Sequence, residues 1–315
     1  MQPLISVIIP CYNSQPYIET CVNSLKVQGL SNWEAIFVND GSKDGSLRVL
    51  EAYAAQDFRI KVYSQINQGA AKAREYGISK ATGNYIMFLD VDDTLDSGAF
   101  ELIKNEIEKN EDADIFVACF NILKDNKLLK RTRIFFNELG KISYLKKVLT
   151  GRCGWELCGK IYRKELFDDS IKTPVDIRIG EDAAIFIQIV SKAERIKGIN
   201  YPIYNYIQYS QSASHIRNKK YAEETLRAGI FIEDYLSKQP FYCQIKDEIS
   251  AMFLLLYSNS SFKWPLSRKN NLVESIKKNH LRILPIFKIH ILKSIYVLAL
   301  YVTNGKITNY ISKVK

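Results

Sequence analysis

Hydrophobic positions in the first 120 residues form short runs that alternate with longer segments of helical spacing. Strands are predicted at residues 4–10, 33–40, 60–65, 84–90 and 112–120. Helices are predicted at residues 16–28, 46–56, 69–82 and 98–110. Strands that alternate with helices indicate an α/β, Rossmann-like fold with a mostly parallel sheet between helical layers.

Polar or turn-forming residues stand where three of these strands end. Pro10 ends the first strand, Asp40 the second and Asp90 the fourth. In open parallel sheets, ligands bind beyond the carboxyl ends of the strands. The sequence therefore predicts that these three segments line one crevice.

Three carboxylates follow the fourth strand, in the stretch "FLDVDD": Asp90, Asp92 and Asp93. Like charges packed together repel, and burying them without partners is costly. A hard divalent cation would relieve the repulsion, since such ions take one or two carboxylates together with water and substrate phosphates. The alternative is an acidic turn that caps the next helix.

Four segments resemble, in order and spacing, the family 2 inverting glycosyltransferases, which have the GT-A fold. They are "SVIIPCYNSQPYIETCVNSLKVQ" (6–28), "VNDGSKDGS" (38–46), "NQGAAKAREYGISKATGNYIMFLDVDD" (67–93) and "GEDAAIF" (180–186). The resemblance covers about residues 4–210 and weakens between Asn121 and Gly151. It implies an enzyme of the bacterial surface-polysaccharide type, which moves a hexosyl or N-acetylhexosaminyl group from a nucleotide-sugar, with UDP as the expected nucleotide.

The resemblance implies a uridine site at the first two strand ends. Pro10 and Tyr12 would lie against the base, with Tyr12 stacked on it, and Asn13 would supply hydrogen bonds. Asp40 would accept from the uracil N–H. Family members often have Asp where Asn39 stands. Tight turns are the alternative explanation for these residues.

The resemblance also implies how the diphosphate and the sugar are held. Asn67 would form a loop, and the Arg74 guanidinium suits a diphosphate or sugar hydroxyls. Asp92 would be the main contact of a Mn²⁺ or Mg²⁺ ion, and Asp90 would face the ribose or donor sugar and share in the metal site. Asp93 would lie nearest the transferred sugar. Such an ion stabilises the departing diphosphate.

An inverting transfer needs a base to deprotonate the acceptor hydroxyl. Glu181 and Asp182 begin a predicted apolar helix in "RIGEDAAIFIQIV" (178–190). The resemblance implies Asp182 as the base and Glu181 as a group that binds or orients a glycan or lipid-linked acceptor. The reverse assignment is also open, as are acids that only stabilise a helix N-terminus. His215 is either a surface residue, a group that closes over the diphosphate or a third metal ligand.

Several other functional classes are disfavoured. No GxGxxG follows the first strand, which argues against a dinucleotide-binding dehydrogenase. Neither a QxxRW motif nor membrane-spanning helices are found, so we expect a non-processive enzyme. The alternative is a non-catalytic homologue that binds a nucleotide-sugar or carbohydrate. Such a homologue would be expected to lack one of the four carboxylates Asp40, Asp90, Asp92 and Asp182, and all are present.

The net charge of +10 lies in the C-terminal tail. Residues 263–315 hold eleven Lys or Arg and one acid, Glu274, so the rest of the chain is balanced. We predict a GT-A domain at residues 1–215 and a helical, basic region at 216–315. The tail is too interrupted to span a bilayer and instead suits peripheral docking on an anionic membrane surface. A helical subdomain is the alternative, and nucleic acid is disfavoured because no binding fold is recognised.

The six cysteines show no CxxC pair and no accompanying histidine cluster, which argues against a zinc site. The N-terminal segment lacks the basic and apolar regions of a signal peptide. We therefore expect free thiols, a cytoplasmic location and attachment to the inner face of the cytoplasmic membrane.

Overall fold

The structure is a computed structural model that describes residues 2–125, 127–209, 218–263, 271–280, 289 and 295 of the 315-residue chain. Its strands are β1 (Ile5–Cys11), β2 (Trp33–Asp40), β3 (Ile60–Gln65), β4 (Tyr85–Phe88), β5 (Thr94–Leu95), β6 (Ile115–Lys124), β7 (Lys127–Arg131), β8 (Glu138–Gly140), β9 (Lys160–Arg163) and β10 (Arg195–Ile207). Its α-helices are α1 (Gln15–Lys26), α2 (Ser46–Ala54), α3 (Ala70–Lys80), α4 (Ala99–Lys109), α5 (Lys141–Leu149), α6 (Glu181–Lys192), α7 (Lys219–Ser237), α8 (Lys246–Lys263) and α9 (Asn271–Asn279).

The predicted α/β architecture is confirmed in the first 120 residues. All five predicted strands and all four predicted helices are present, with ends shifted by a few residues. Every residue of β1 and β2 is buried. This explains their continuous apolar runs, because strands of a parallel sheet are covered on both faces.

The sheet is mixed and has two parallel parts. Its order is β3-β2-β1-β4-β9-β6-β10-β5, with β7 beside β6 and β8 beside β10. The strands from β3 to β4 are parallel, and so are β6 and β10. β9 runs antiparallel to both β4 and β6 and thereby joins the two parallel parts. The hydrophobic pattern of the sequence does not predict the antiparallel strands.

The described residues fall into two compact units. The first unit consists of Met1–Gly140, Leu157–Thr173 and Lys192–Ser210, and it contains the sheet and helices α1 to α4. Helices α1 to α4 pack on strands of this sheet. The predicted division between residues 215 and 216 falls within residues 210–217, which lie outside the described residues. It therefore stays a prediction.

The second unit consists of Lys141–Glu156, Pro174–Ser191 and Gln211–Lys315 and is helical where it is described. Within it, α8 packs against α5, α7 and α9. After α9, the His280 ring stacks on Phe253 at 4.3 Å between centroids, and its Nε2 lies 3.0 Å from Glu233 Oε2. No helix in the described part of the chain is long and apolar enough to cross a membrane. Most of the predicted basic tail lies outside the described residues.

Candidate functional site

The carboxyl ends of β1, β2 and β4 lie at one edge of the sheet, as the sequence predicts. β1 pairs in parallel with β2, where Cys11 aligns with Asn39, and with β4, where Ile8 aligns with Phe88. The loops after these strands therefore emerge side by side. The donor-site residues predicted from the sequence lie on these strand ends, on the loops that follow them or β3, or on α3: Pro10, Tyr12, Asn13, Asp40, Asn67, Arg74, Asp90, Asp92 and Asp93.

The loop after β1 presents an aromatic ring to solvent. Tyr12 is 46% exposed, so its ring is available to stack on a planar group. Asn13 has a left-handed backbone, with φ of 47°. Its backbone N–H donates to Ser42 Oγ at 3.0 Å, and its Oδ1 accepts from the Lys43 N–H at 2.8 Å. Asn13 thus ties together the loops after β1 and β2, and its predicted contact with the base stays a prediction.

Asp40 is buried at the end of β2 and holds the loop after β3. Its Oδ1 accepts from the Gln68 N–H and from the Gln65 side-chain amide, both at 2.8 Å. Its Oδ2 accepts from the Gly69 N–H at 2.8 Å, and its backbone oxygen accepts from the Asn67 side chain at 2.9 Å. A carboxylate offers about four acceptor positions. The uracil contact predicted for Asp40 would therefore use the position that these three donors leave.

Arg74 is buried on α3 and forms an ion pair with Asp90. Its Nη2 lies 2.8 Å from Asp90 Oδ1, and the side chains are 6% and 37% exposed, respectively. The Cys158 thiol donates to the other oxygen, Asp90 Oδ2, at 3.5 Å. Asp90 is thus held on the protein side by a buried cation while its carboxylate remains partly open to solvent. The contact of Arg74 with a diphosphate stays a prediction.

Asp93 is buried, and both of its carboxylate oxygens have partners on β10. The Tyr204 hydroxyl donates to Oδ2, and the Ile207 N–H donates to Oδ1 at 2.7 Å. The same Tyr204 hydroxyl accepts from the Asp90 N–H at 3.4 Å. The structure therefore gives Asp93 internal partners, and its place nearest the transferred sugar stays a prediction.

A second tyrosine from this region reaches the acidic turn. Tyr209, which follows β10, donates its hydroxyl to the Asp92 carbonyl oxygen at 3.3 Å, and its ring centroid lies 5.1 Å from that of Tyr17 on α1. No motif in the sequence singles out Tyr204, Ile207 or Tyr209 as site residues. A signal was present, because "YPIYNYIQY" (201–209) is rich in aromatic and β-branched residues, as strands are.

Burial and mutual repulsion perturb the acidic turn. Burial, followed by the charge of Asp90, raises the pKa of the Asp92 carboxyl above its usual range. The same causes raise the pKa of Asp93 to about 8, against the opposing effect of its hydrogen bonds from Ile207 and Tyr204. A cation beside Asp90 and Asp92 would favour the ionised form of Asp92.

The residues of the acidic turn suit a hard divalent ion that draws part of its coordination from substrate. In the portions of the chain that the structure describes, no group of three or more His, Cys, Asp or Glu forms a metal site. Asp92 and the partly exposed Asp90 offer carboxylate oxygens, although those of Asp90 also accept from Arg74 and Cys158. Asp93 is buried, and both of its oxygens accept from β10. Mg²⁺-like ions bind through one or two carboxylates plus waters and phosphates. The donor set therefore fits such an ion only if a diphosphate completes it.

The candidate base residues belong to the second unit. Glu181 and Asp182 form the first turn of α6, and both are partly exposed. The residues that follow them, from Ala183 to Ser191, are all buried. The buried remainder of α6 therefore holds the two acids in place. His215 lies outside the described residues.

Helix α7 fixes the segment that leads into these acids. Glu224, which is buried, accepts from the Arg178 N–H through Oε2 at 3.1 Å. Gly180 has φ of +97°, and a Cβ added there would lie 2.7 Å from the Ala228 Cβ. Only glycine fits this close approach without strain. Glu224 and Ala228 are supporting contacts of this segment that no sequence motif indicated.

Comparison with known proteins identifies the family. The model of the family "Glycosyl transferase family 2" matches residues 6–170. The "Uncharacterized glycosyltransferase EpsJ" of Bacillus subtilis (strain 168) is 34% identical over 247 residues, which cover 77% of this chain and 70% of that protein. The "Putative teichuronic acid biosynthesis glycosyltransferase TuaG" of the same organism is 30% identical over 217 residues, covering 68% and 82%, respectively.

The fold has a counterpart among solved structures. Residues 1–349 of S. aureus TarS, in complex with UDP-GlcNAc, superpose with a TM-score of 0.71 at 18% identity, covering 99% of this chain and 92% of that chain. At this identity the likeness concerns the fold, which is the predicted one. Together with the family match and the relatives, it shows that the chain belongs to glycosyltransferase family 2 and has the GT-A fold.

Proposed function

We propose that this glycosyltransferase moves a hexosyl or N-acetylhexosaminyl group from a UDP-sugar to a hydroxyl of a glycan or lipid-linked acceptor. The transfer inverts the anomeric carbon and adds one sugar per event. The observation that carries the proposal is the pair Asp90 and Asp92, set at the carboxyl ends of parallel strands beside the buried cation Arg74. UDP-GlcNAc bound to TarS supports the donor class, and the teichuronic acid named for TuaG supports a glycan acceptor.

In this proposal, the loops after β1 and β2 bind the uridine. Tyr12 stacks on the base, for which its 46% exposure is suited. Asp40 accepts from the uracil N–H with the acceptor position that its three internal donors leave. Pro10 and Asn13 shape the loop, with Asn13 holding it to Lys43.

At the diphosphate, the acidic turn and Arg74 provide opposite charges. A Mn²⁺ or Mg²⁺ ion on Asp92 and Asp90 would stabilise the negative charge that develops on the leaving diphosphate. Arg74 holds the Asp90 carboxylate through its ion pair and adds a buried positive charge beneath it. Asp93 positions the turn through its bonds to β10. This positioning role adds to the expected place of Asp93 nearest the transferred sugar.

In the chemical step, Asp182 accepts the proton of the acceptor hydroxyl. The acceptor oxygen forms a bond to the anomeric carbon as the bond from that carbon to the β-phosphate oxygen breaks. UDP leaves with the bonding electron pair, and a single displacement inverts the carbon. Glu181 orients the acceptor, and α6 holds both acids in its first turn.

We also retain the proposal that the chain acts at the cytoplasmic face of the membrane. Its support is the sequence of residues 263–315, with eleven cations and one acid. Basic amphipathic segments bind anionic lipid surfaces. A lipid-linked acceptor would then be within reach of a peripheral enzyme.

The test is a screen of UDP-sugars and GDP-sugars by thermal shift, with and without Mn²⁺, followed by UDP release with glycan acceptors. A ligand that binds only the folded state raises the melting temperature. Metal-dependent stabilisation by a UDP-sugar, together with UDP release, supports the proposal. Saturable binding without release favours the non-catalytic alternative, and stabilisation by GDP-sugars alone contradicts the donor assignment.

A further inference from the structure

One hairpin of the first unit combines exposed apolar side chains with a cluster of cations. We call residues 124, 125 and 127–135 the basic hairpin. β6 and β7 pair antiparallel, with Lys124 opposite Lys127. Beyond β7, the Thr132 N–H donates to the Phe120 carbonyl at 2.9 Å, and Thr132 Oγ1 accepts from the Phe120 N–H at 2.8 Å. The hairpin is therefore held on the sheet by strand pairing, which has one irregularity between Ile122 and Leu123, and by the two bonds of Thr132.

Large apolar side chains on this hairpin point away from the core. Leu128 and Leu129 are 55% and 56% exposed. Neighbouring residues of a strand point to opposite faces, so neither face of β7 is covered at this point. Exposed leucines on both faces can both be buried if this end of the strand inserts into the headgroup region of a lipid bilayer.

Phe135 adds a third apolar group, and its exposure follows from the packing of its neighbours. Ile134 and Phe136 lie against Gly198 of β10, where an added Cβ would overlap both residues. Burial alternates along residues 131–137, where residues 132, 134 and 136 are half-buried and the others are exposed, and Phe135 is 82% exposed. The ring is thus fixed outward by the segment that carries it.

Cations surround these apolar groups. The hairpin has five exposed basic residues and one acid, Asp125; the basic residues are Lys124, Lys127, Lys130, Arg131 and Arg133. None of the five forms an ion pair with a carboxylate among the described residues. Their charge is therefore available to an external anionic surface.

Lysines on an edge strand also discourage pairing with another strand. That role explains the lysines of β7 but not three large apolar side chains held outward beside them. Basic groups flanking exposed apolar groups fit the headgroup region of an anionic bilayer, where lipid charges meet the cations and the apolar groups enter the interface.

We propose that the basic hairpin docks the first unit on an anionic lipid surface, with Leu128, Leu129 and Phe135 entering the interface. The hairpin would be a second contact in addition to the C-terminal tail. The inference rests on the exposure and charge of the hairpin and does not depend on the proposed transfer reaction.

A fluorescence experiment measures the membrane contact of the basic hairpin separately from that of the C-terminal tail. The full chain with Phe135→Trp is mixed with vesicles of phosphatidylglycerol and phosphatidylcholine, and wild-type emission is subtracted. The added indole should shift to shorter wavelength on these vesicles and not on phosphatidylcholine alone. The matched control is Phe58→Trp, because Phe58 is also exposed, at 88%, on a different loop of the first unit. Its emission should not change.

Charge removal supplies the second test. Lys127→Gln/Lys130→Gln should lower partition onto anionic vesicles about thirtyfold, at about fivefold for each cation near the surface. The control Lys104→Gln/Lys109→Gln removes two exposed lysines of α4 that pair with Glu108 and Glu106, and it should leave partition within about twofold of wild type.

Two outcomes overturn the proposal. One is the absence of any blue shift for Phe135→Trp on anionic vesicles, with partition unchanged by Lys127→Gln/Lys130→Gln. The other is a shift with soluble polyglutamate but not with vesicles, which would assign the hairpin to an acidic protein partner. UDP release is measured in parallel so that failure of the docking proposal can be told apart from failure of the proposed function. Loss of transfer with docking intact contradicts only the proposed function.

Discussion

The Tyr204 hydroxyl bridges two acidic residues of the turn that follows β4. It donates to Asp93 Oδ2 and accepts from the Asp90 N–H at 3.4 Å. Tyr204 is buried and lies 111 positions beyond Asp93. The orientation of the acidic turn therefore depends on direct hydrogen bonds to β10, a strand far along the chain.

Removal of this hydroxyl should weaken both the fold and the metal site. Tyr204→Phe leaves Asp93 Oδ2 and the Asp90 N–H without their bridge, so we expect the free energy of unfolding to fall by about 1–3 kcal/mol. The apparent affinity for Mn²⁺ in UDP release should fall about tenfold or more, since such supporting bonds orient metal ligands. Urea unfolding and a metal titration measure the two effects. The control Tyr201→Phe, at a residue 65% exposed, should leave both unchanged. A metal affinity for Tyr204→Phe equal to that of wild type would remove Tyr204 from the site.

Neutralising Asp92 should abolish transfer without loss of stability. Burial and the charge of Asp90 raise the pKa of Asp92, so the ionised carboxylate is disfavoured in the folded state. Asp92→Asn should thus unfold at the same temperature as wild type or a higher one when metal is chelated, while UDP release falls at least about 100-fold. The contrasting variant is Asp57→Asn: hydrogen bonds from Arg59 lower the pKa of Asp57, so its loss should lower the melting temperature. Strong destabilisation by Asp92→Asn would show that the acidic turn is structural.

Glu34 lies near the start of β2, at the opposite end of this strand from Asp40. It should make the stability of the fold depend on pH. Its buried carboxylate accepts from Ser6 Oγ at 2.5 Å and from the Thr82 N–H at 2.6 Å, and it pairs with Lys61. Burial would raise its pKa, but these hydrogen bonds outweigh burial and lower it. The folded-state pKa therefore lies below the unfolded value, so the ionised carboxylate stabilises the fold above the unfolded pKa, and this contribution is lost as pH falls through the folded pKa.

Glu34→Gln should accordingly lower the free energy of unfolding at pH 7 by about 1–3 kcal/mol. The difference from wild type should shrink on acidification below about pH 4, where wild-type Glu34 also takes up a proton. Denaturant titrations across this range measure it, with the exposed Glu51→Gln as control. A difference that is independent of pH would mean that Glu34 acts only through its shape.

Gly180 should be intolerant of a side chain. Its φ of +97° and the 2.7 Å approach of an added Cβ to Ala228 both oppose Gly180→Ala. We expect a loss of about 1–3 kcal/mol in unfolding free energy, together with slower transfer, because Glu181 and Asp182 follow directly.

The companion variant Ala228→Gly removes the contact but not the backbone strain. The double variant should therefore recover stability only in part. Gly140→Ala is the control, because an added Cβ there makes only ordinary contact, 3.7 Å from the nearest atom. Full stability and activity in Gly180→Ala would contradict the positioning of α6 by α7.

The first half of the fold was predictable because its physical signals are local. Apolar runs such as β1 and β2 are buried on both faces, and each is followed by a turn and a helix of regular spacing. β9 and β10 belong to a region without this alternation. The antiparallel pairing of β9 with β4 depends on residues distant in sequence, which local periodicity does not specify.

The candidate site, too, was predictable from the sequence only in part. Asp40, Asp90 and Asp92 could be located because strand ends of a parallel sheet converge. The partners of Asp90 could not, because Tyr204 and Cys158 reach it through tertiary packing. Asp93 illustrates the difference, since its position was apparent from the sequence but its bonds to Tyr204 and Ile207 were not.

The roles assigned to Asp182 and Glu181 make separable predictions. Asp182→Asn should bind the donor with the affinity of wild type and lose transfer, because the acceptor hydroxyl keeps its proton. Glu181→Gln should raise the KM for the acceptor and retain measurable turnover. Calorimetry with the UDP-sugar and steady-state kinetics with the acceptor provide the two readouts. Loss of turnover in Glu181→Gln alone would make Glu181 the base.

The most direct test of metal-assisted transfer is the rate of UDP release from the donor found by thermal shift, measured with its acceptor. Wild type should release UDP with Mn²⁺, stop when a chelator is added and resume when Mn²⁺ is restored. Asp92→Asn should show no metal-dependent release, and Asp182→Asn should bind donor without release. Release at the wild-type rate in the presence of chelator, or by either variant, would contradict the account.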